Sequence, residues 1–381
     1  MKDDFFVLHH VGARNGYRSF PRVQGLEHEF ISVMYEATSD DNERILKRGR
    51  EFGNDTVLVN ACVGRTNEEV LFNCNRDPYT SSFLPLNPKY SNFYSNNKSK
   101  FDYLLGESAF SIKQETMVTQ SLDDLAVSLD LPQCDFLSLD TQGSELDILQ
   151  SAVGTLRNCV GLQLEVAFAE VYKGQPLFSD VDKFLRSQGF DFIRFKEFQE
   201  YAPLVNGVEI RGEKLQFFAD AVYFRSPENL RKDQYYPLLF TSLCFGQTEF
   251  ALSIVESDSD SLTRTNEIKW MMFCDKFMEL SNQATNNRQT YLDAFNILQT
   301  LGTKKQAQSR TANFKNRLAL NNIFSYLPKP VQLIISKLLF KSRSWRVQRS
   351  ISNQPYSEIE TLFVEVGLDS VAKKIKQSRC S

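Results

Sequence analysis

Short blocks of hydrophobic residues alternate with amphipathic stretches over roughly the first 225 residues of the chain. Apolar runs of strand length occupy 5–10, 29–37, 55–64, 134–140 and 160–168. Runs of this kind, bounded by turn-forming residues, are typical of buried strands. Two further runs, 191–198 and 215–225, follow each other without a full helical pattern between them. They predict an antiparallel hairpin at one edge of the sheet.

Three segments between these runs have apolar residues spaced for one face of a helix. They are 121–131, 144–156 and 176–190. The stretch 65–120 is irregular, with weak strand patterns at 68–74 and 111–120. Strands that alternate with helices predict an α/β fold, in which a mostly parallel sheet is covered on both faces.

The pattern changes after Phe224, where a polar, linker-like stretch leads into segments with helical periodicity only. We therefore expect two domains, 1–227 and a C-terminal all-α domain at 228–381 whose role the sequence leaves open. From Lys304 to Ser350 there are eleven Lys or Arg and no Asp or Glu. A basic amphipathic helix at 328–349 would suit peripheral contact with an anionic membrane surface. The alternative, which we favour, is a helix that packs on a core and exposes a basic face.

Composition narrows the class of protein further. The chain of 381 residues has a net charge of −3 and is 42% hydrophobic, as expected for a globular protein with a real core. No DNA- or RNA-binding module is recognisable, so nucleic acid is not an expected partner. Seven scattered cysteines without a CxxC motif argue against a zinc ribbon and favour reduced thiols. We expect a cytoplasmic protein without a bound metal, found in the cytosol or at the inner membrane face, and leave its oligomeric state open.

A glycine-containing turn follows the first predicted strand. Gly12 and Gly16 would let the backbone approach a ligand, and a helix N-terminus beyond them would offer free N–H groups. Glu36 closes the second apolar run, twenty residues after Gly16. A carboxylate there can accept both ribose hydroxyls of an adenosine. The GxxxG spacing differs from the GxGxxG of nicotinamide-dependent enzymes, which weakens but leaves open an oxidoreductase interpretation.

Motifs farther along the chain resemble the FkbM family of S-adenosylmethionine-dependent methyltransferases, in the same order and spacing over about residues 5–225. They are Leu122-Asp123-Asp124-Leu125, Asp140, Gly143, Glu145, Glu165, Tyr172, Gly189, Phe190 and Asp220-Ala221-Val222-Tyr223. The resemblance implies a Rossmann-like class I methyltransferase fold, with a mostly parallel seven-stranded sheet and an antiparallel edge hairpin. It implies S-adenosyl-L-methionine as the cofactor. It also implies O-methylation of a hydroxyl on a small-molecule or glycan acceptor, such as a sugar or a natural product.

The sequence departs from the family pattern at three places. His10 replaces an Asp that normally helps to hold the methionine end of the cofactor, although a neutral His could accept a hydrogen bond there. Arg14 and Asn15 stand where the family has Asn and a variable residue, and Gln142 replaces a common Glu. A degenerate site in a non-catalytic scaffold that presents the helical domain to a partner is therefore the alternative to an enzyme.

The candidate site collects residues from the predicted strand ends, because ligands bind beyond the carboxyl ends of parallel strands. The cofactor-binding candidates are His10, Gly12, Ala13, Asn15, Gly16, Glu36 and Asn60. Asp140 is the predicted general base and Glu165 the residue that orients the acceptor; the alternatives are a helix cap and an ion pair, respectively. Ser82 and Glu145 are the substrate-binding candidates.

Overall fold

The computed structural model describes residues 5–15, 20–21, 29–51, 55–96 and 102–257. These residues all belong to one compact unit. Gly16, the segment 328–349 and most of the predicted helical domain lie outside the described residues. Among the helices that are described, none has the length and apolar character needed to cross a membrane.

The described residues form strands and helices in an alternating order. The strands are β1 (Phe6–Val11), β2 (Phe30–Glu36), β3 (Asp55–Asn60), β4 (Cys62–Val63), β5 (Glu69–Asn75), β6 (Phe93–Asn96), β7 (Asp102–Leu104), β8 (Ser111–Gln120), β9 (Phe136–Leu139), β10 (Gly161–Ala167), β11 (Phe190–Pro203) and β12 (Leu215–Arg225). The helices are α1 (Asn42–Glu51), α2 (Leu105–Ser108), α3 (Leu122–Ser128), α4 (Glu145–Gln150), α5 (Val153–Asn158), α6 (Phe178–Ser187), α7 (Tyr235–Cys244) and α8 (Thr248–Ser257). The predicted α/β alternation is therefore confirmed over this part of the chain.

The main sheet has the order β3-β2-β1-β9-β10-β12-β11-β6-β7. Its first five strands are parallel, and the pairs β10–β12 and β12–β11 are antiparallel. The predicted antiparallel hairpin is thus present, but it does not lie at the edge, because β6 and β7 follow β11 in the sheet. The described sheet therefore has nine strands instead of the expected seven. The extra pair arises because β11 continues to Pro203, where Ala202 and Pro203 pair with Tyr94 and Phe93 of β6.

A second, three-stranded sheet has the order β4-β8-β5 and accounts for the two weak strand patterns. The run 55–64 was expected to be one strand, but it divides after Asn60 into β3 and β4. The division follows from two different pairings: β3 lies beside β2 in the main sheet, whereas Cys62 and Val63 pair with β8. This small sheet brings residues from the irregular stretch 65–120 to the rim of the main sheet.

The helix predicted over 144–156 is broken in two, as α4 and α5. The break is stabilised by a contact distant in sequence: the Asp123 carboxylate accepts hydrogen bonds from the backbone N–H groups of Gly154 (2.7 Å) and Thr155 (2.6 Å). Asp123 therefore caps the start of α5. The side-chain periodicity continues across the break, which is why the sequence pattern alone predicts a single helix.

Both faces of the main sheet are covered within the described residues. Val7, Leu137 and Leu164 belong to an aliphatic core that also includes Leu149 and Leu185 from the helices. A separate aromatic cluster includes residues of β1, β2 and α7. The rings of Phe6 and Phe30 lie 5.2 and 5.8 Å from the ring of Phe240 in α7. Helix α7 thus shares a core with the strands, although it comes after residue 227 in the sequence. The domain boundary at 227/228 stays a prediction.

Candidate active site

A cleft opens at the carboxyl ends of β1, β2, β3 and β9, where ligands bind in open α/β sheets. It is partly open to solvent and has a cavity volume of about 90 Å³. Its wall contains polar groups from Arg14, Glu36, Asp140, Thr141 and Gln142. The remaining surface is largely apolar and aromatic, with Val11, Tyr35, Val63, Phe72, Tyr79 and Phe83 among the residues that form it.

Gly12 forms the turn at the floor of the cleft, immediately after β1. Its backbone has φ +84°, and an added Cβ would lie 1.9 Å from the carbonyl oxygen of Asp140. Only glycine fits this turn, because both the left-handed backbone and the close approach to β9 exclude a side chain. The following residues, Ala13–Asn15, form a short 3-10 helix in which Ala13 is buried.

Glu36 ends β2 and presents a buried carboxylate to the cleft. Its Oε1 atom accepts hydrogen bonds from the backbone N–H of Thr38 (3.5 Å) and from the Thr38 hydroxyl (3.2 Å). Arg14 lies beside it, with Nη2 at 3.7 Å from Oε1. Burial raises the pKa of Glu36, and the neighbouring Arg14 charge opposes that rise.

His10 is buried within β1 and does not belong to the cleft wall. Burial lowers its pKa below the usual 6.5, while the nearby Asp140 charge and a backbone hydrogen bond at Gly12 act in the opposite direction. A neutral imidazole beneath the turn follows from this balance. The residue that replaces the family's cofactor-binding Asp is thus buried next to the glycine turn and is not among the residues that line the cleft.

The side chain of Gln142 connects Asp140 with Glu165, a contact that the sequence did not predict. Asp140 follows β9 and lines the cleft, whereas Glu165 lies in β10 behind it. The Nε2 atom of Gln142 donates to Asp140 Oδ1 and to Glu165 Oε2, in each case over 3.0 Å. Because an amide nitrogen carries two hydrogens, it can serve both carboxylates at once.

Glu165 is buried and does not form part of the cleft wall. Gln199 Nε2 donates to its Oε1 over 2.9 Å. Burial, followed by the charges of Asp140, Glu145 and Asp220, raises the pKa of Glu165 well above its usual value, and the Gln199 bond opposes this. Both side chains that donate to Glu165 are amides, so the predicted alternative of an ion pair with Lys or Arg finds no counterpart among the described residues.

The sequence profile of the methyltransferase FkbM domain matches residues 10–192. Residues 10–192 form an FkbM methyltransferase domain. This assignment suggests a methyl-transfer activity for the protein. Neither a curated protein nor a solved structure gave a match to the chain.

The FkbM domain contains the whole cleft, including Gly12, Glu36 and Asp140. Its matched region ends two residues after β11 begins at Phe190. β12, which forms the hairpin with β11, lies beyond the matched residues. It nevertheless pairs with the whole of β10, from Gly161 to Ala167. The sheet that supports the FkbM site therefore extends past the matched residues.

Glu145 and Ser82 hold the loop after β9 in shape. The Glu145 carboxylate accepts hydrogen bonds from the N–H groups of Thr141 (2.9 Å) and Gly143 (2.9 Å), and the Ser82 hydroxyl donates to the Gln142 carbonyl over 2.6 Å. Neither residue belongs to the cleft wall. These contacts favour a structural role for both in the FkbM domain; their predicted contact with substrate stays a prediction.

The remaining cofactor candidates differ in their positions. Asn60 closes β3 but is exposed and is not part of the cleft wall, whereas its neighbour Ala61 is. Asn15 ends the 3-10 helix, and Gly16 lies outside the described residues. The described residues contain no cluster of three or more His, Cys, Asp or Glu side chains suited to a metal ion.

Sequence reasoning missed the aromatic side of the cleft. Phe72 belongs to β5 and Phe83 follows Ser82, and their rings lie 5.6 Å apart, edge to face. Tyr79 lies between them in sequence and is partly exposed at the cleft. The only available signal was the aromatic content of the irregular stretch 65–120, because the small sheet that places these rings forms through contacts distant in sequence.

Proposed function

We propose that this FkbM-domain protein is an S-adenosylmethionine-dependent methyltransferase that methylates a hydroxyl oxygen. One observation carries the proposal: the carboxylates of Glu36 and Asp140 line the same cleft, on two sides of the Gly12 turn. The first is suited to bind a ribose and the second to accept a proton.

The residues of the cleft fit an adenosine-bearing cofactor. The Gly12 turn brings bare backbone to the floor of the cleft, because the close approach to the Asp140 carbonyl excludes a side chain there. Glu36 provides a buried carboxylate, which can accept both hydroxyls of a ribose. Phe72 and Phe83 provide flat apolar surface for a purine ring. Because His10 lies outside the cleft wall, the polar groups left to bind the methionine end of the cofactor are those of the loop Asp140–Ser144.

When bound, S-adenosylmethionine supplies an electrophilic methyl group on a sulfonium. The protein's own task is to bring an acceptor hydroxyl into line and to remove its proton. Asp140 is the carboxylate in the cleft that can take this proton, and general-base catalysis of this type contributes about 10²–10⁴-fold in rate. Gln142 orients Asp140 through a 3.0 Å hydrogen bond and ties it to Glu165. Glu165 thus acts on the acceptor site only through Gln142.

The class of acceptor in this proposal comes from the FkbM resemblance. We propose a hydroxyl of a sugar, in a glycan or a natural product, methylated in the cytoplasm. The cleft is consistent with such an acceptor, since Ser81 and Tyr79 line it beside the two carboxylates.

A second candidate is a non-catalytic scaffold with a methyltransferase fold. It is favoured by His10, which replaces an acid of the family's cofactor site and is buried next to the turn. In this alternative the cleft would be a remnant, and the protein would act by presenting its surface to a partner.

Calorimetric titration with S-adenosylmethionine and S-adenosylhomocysteine separates the candidates. We expect one site per chain for both ligands and no binding of NADH or NADPH. Absence of binding up to millimolar concentration would favour the scaffold, and nicotinamide binding without a response to S-adenosylhomocysteine would indicate an oxidoreductase. A screen for labelled methyl transfer to glycans and small-molecule extracts then identifies the acceptor.

A further inference from the structure

Arg14 makes contacts that the FkbM resemblance does not supply, because the family has Asn at this position. It lies in the 3-10 helix directly after Gly12, and its side chain is mostly buried against the cleft. Its Nη2 donates to the Thr38 hydroxyl over 2.7 Å and lies 3.7 Å from Glu36 Oε1. Its Nε lies 3.4 Å from Asp41 Oδ2.

These contacts engage only one oxygen of the Glu36 carboxylate. Thr38 and Arg14 both approach Oε1, and no hydrogen bond between described residues reaches Oε2. Oε1 is therefore held in place, whereas Oε2 can still accept a hydrogen bond. A ribose needs such a fixed acceptor, because an acid held in advance loses less conformational entropy when the ligand binds.

Arg14 also affects the pKa of the Glu36 carboxylate. Burial raises the pKa of Glu36, and Asp41 adds to that rise, while Arg14 lowers it. Arg44, from α1, is directed to Asp41 (3.2 Å) and to the Arg14 carbonyl (2.9 Å). Among the described residues Arg14 is thus the cation that acts on Glu36 itself.

We propose that Arg14 is a positioning residue for the cofactor, and that its guanidinium fixes the Glu36 carboxylate at the cleft wall in the form that accepts ribose hydroxyls. The proposal rests on the proposed function for the identity of the ligand. The effect of Arg14 on Glu36 is a property of the protein without ligand. The two parts can therefore be tested separately.

The first test follows the ionisation of Glu36 in the ligand-free protein. Carbon-13 labelling of glutamate carboxyls, with the Glu36 signal assigned by its loss in Glu36→Gln, gives the titration midpoint by NMR. We expect Arg14→Gln to move this midpoint upward and Arg14→Lys, which keeps the charge, to restore most of it. Arg65→Gln removes a charge from an exposed pair with Asp147 and should leave the midpoint in place. An unchanged midpoint in a folded Arg14→Gln protein overturns the proposal.

The second test measures binding of S-adenosylhomocysteine against pH. We expect Arg14→Gln to weaken binding about tenfold at pH 6 and less at pH 9, since the acceptor recovers its charge at high pH. In the Glu36→Gln background the effect of Arg14→Gln should vanish, because the two residues act as one unit. Tighter binding by Arg14→Gln, or losses that simply add, would overturn the proposal. If the unmodified protein binds no S-adenosylhomocysteine, the proposed function fails, and the NMR midpoint alone decides whether Arg14 controls Glu36.

Discussion

Replacing Asp140 by Asn tests the assignment of the general base with little change in shape. The backbone N–H of residue 140 would still donate to the Val11 carbonyl (3.0 Å), which ties β9 to β1. The Asn carbonyl oxygen could still accept the 3.0 Å hydrogen bond from Gln142. What disappears is the charge and the ability to take a proton. The substitution therefore separates proton transfer from the architecture of the cleft.

The expected loss is large in turnover and small in cofactor affinity. General-base catalysis contributes about 10²–10⁴-fold, which corresponds to about 3–5 kcal/mol of activation free energy. The ribose is bound by Glu36 in our proposal, so the dissociation constant of S-adenosylhomocysteine should change by less than about tenfold. Turnover should recover in part at high pH if solvent hydroxide can replace the lost base.

The assay measures labelled methyl transfer at saturating cofactor, with the acceptor that the screen identifies, beside calorimetric titration of S-adenosylhomocysteine. Asp147→Asn is the matched control, because Asp147 lies seven residues away on the same connection and forms an exposed pair with Arg65. Its turnover should equal that of the unmodified protein. Equal losses in turnover and affinity for Asp140→Asn would make Asp140 a cofactor-binding residue, and full turnover would remove it from the mechanism.

Three further substitutions, one of them with a matched control, examine the ribose site, the turn and the core. Glu36→Ala should weaken S-adenosylhomocysteine binding by a few-fold to a hundredfold, since hydrogen bonds to a charged group contribute about 1.5–3 kcal/mol; unchanged affinity in calorimetry would mean that the ribose lies elsewhere. Gly12→Ala should abolish binding and lower the melting temperature, because its Cβ would meet the Asp140 carbonyl at 1.9 Å. Gly174→Ala, also at positive φ but with no atom within 4 Å, should show only the backbone strain. Burial lowers the pKa of His9 to about 4, so the free energy of unfolding should fall by up to about 3 kcal/mol as pH drops from 6.5 to 4. Urea denaturation should show that His9→Gln flattens this slope, and an unaltered slope would assign the pH dependence to other groups.

The parallel core of the sheet was predictable because its strands are buried on both faces. β1, β9 and β10 are buried at every position and are mostly apolar, although polar residues such as His9, Ser138 and Gln163 interrupt them. The β6–β7 hairpin was not predictable, since its strands have only four and three residues. It is stabilised from outside by the pairing of β6 with β11 and by the Tyr90 and Phe93 rings packed against Phe217. No local pattern of so few residues can report contacts made a hundred positions away.

The acids that the strand-end rule selected differ in their positions relative to the cleft. Glu36 and Asp140 both line it, as residues at or just past the end of a parallel strand should. Glu165 lies two residues before the end of β10, opposite Asp220 of the antiparallel β12. Its carboxylate is buried there and accepts hydrogen bonds from Gln142 and Gln199. An acid at or just past the end of its strand thus lines the cleft, whereas Glu165, which lies before the end of its strand, does not.

Gln142 can link Asp140 and Glu165 because of both its backbone conformation and its side-chain amide. Its φ of +54° is unusual for a residue other than glycine, and it turns the amide toward both Asp140 and Glu165. The Tyr172 hydroxyl reaches its Oε1 from the other side at 3.4 Å. A Glu at 142, as is common in the family, could donate to one neighbouring carboxylate only when protonated, and its charge would add to the repulsion between them. Gln142 instead gives one hydrogen to each acid and adds no charge between them.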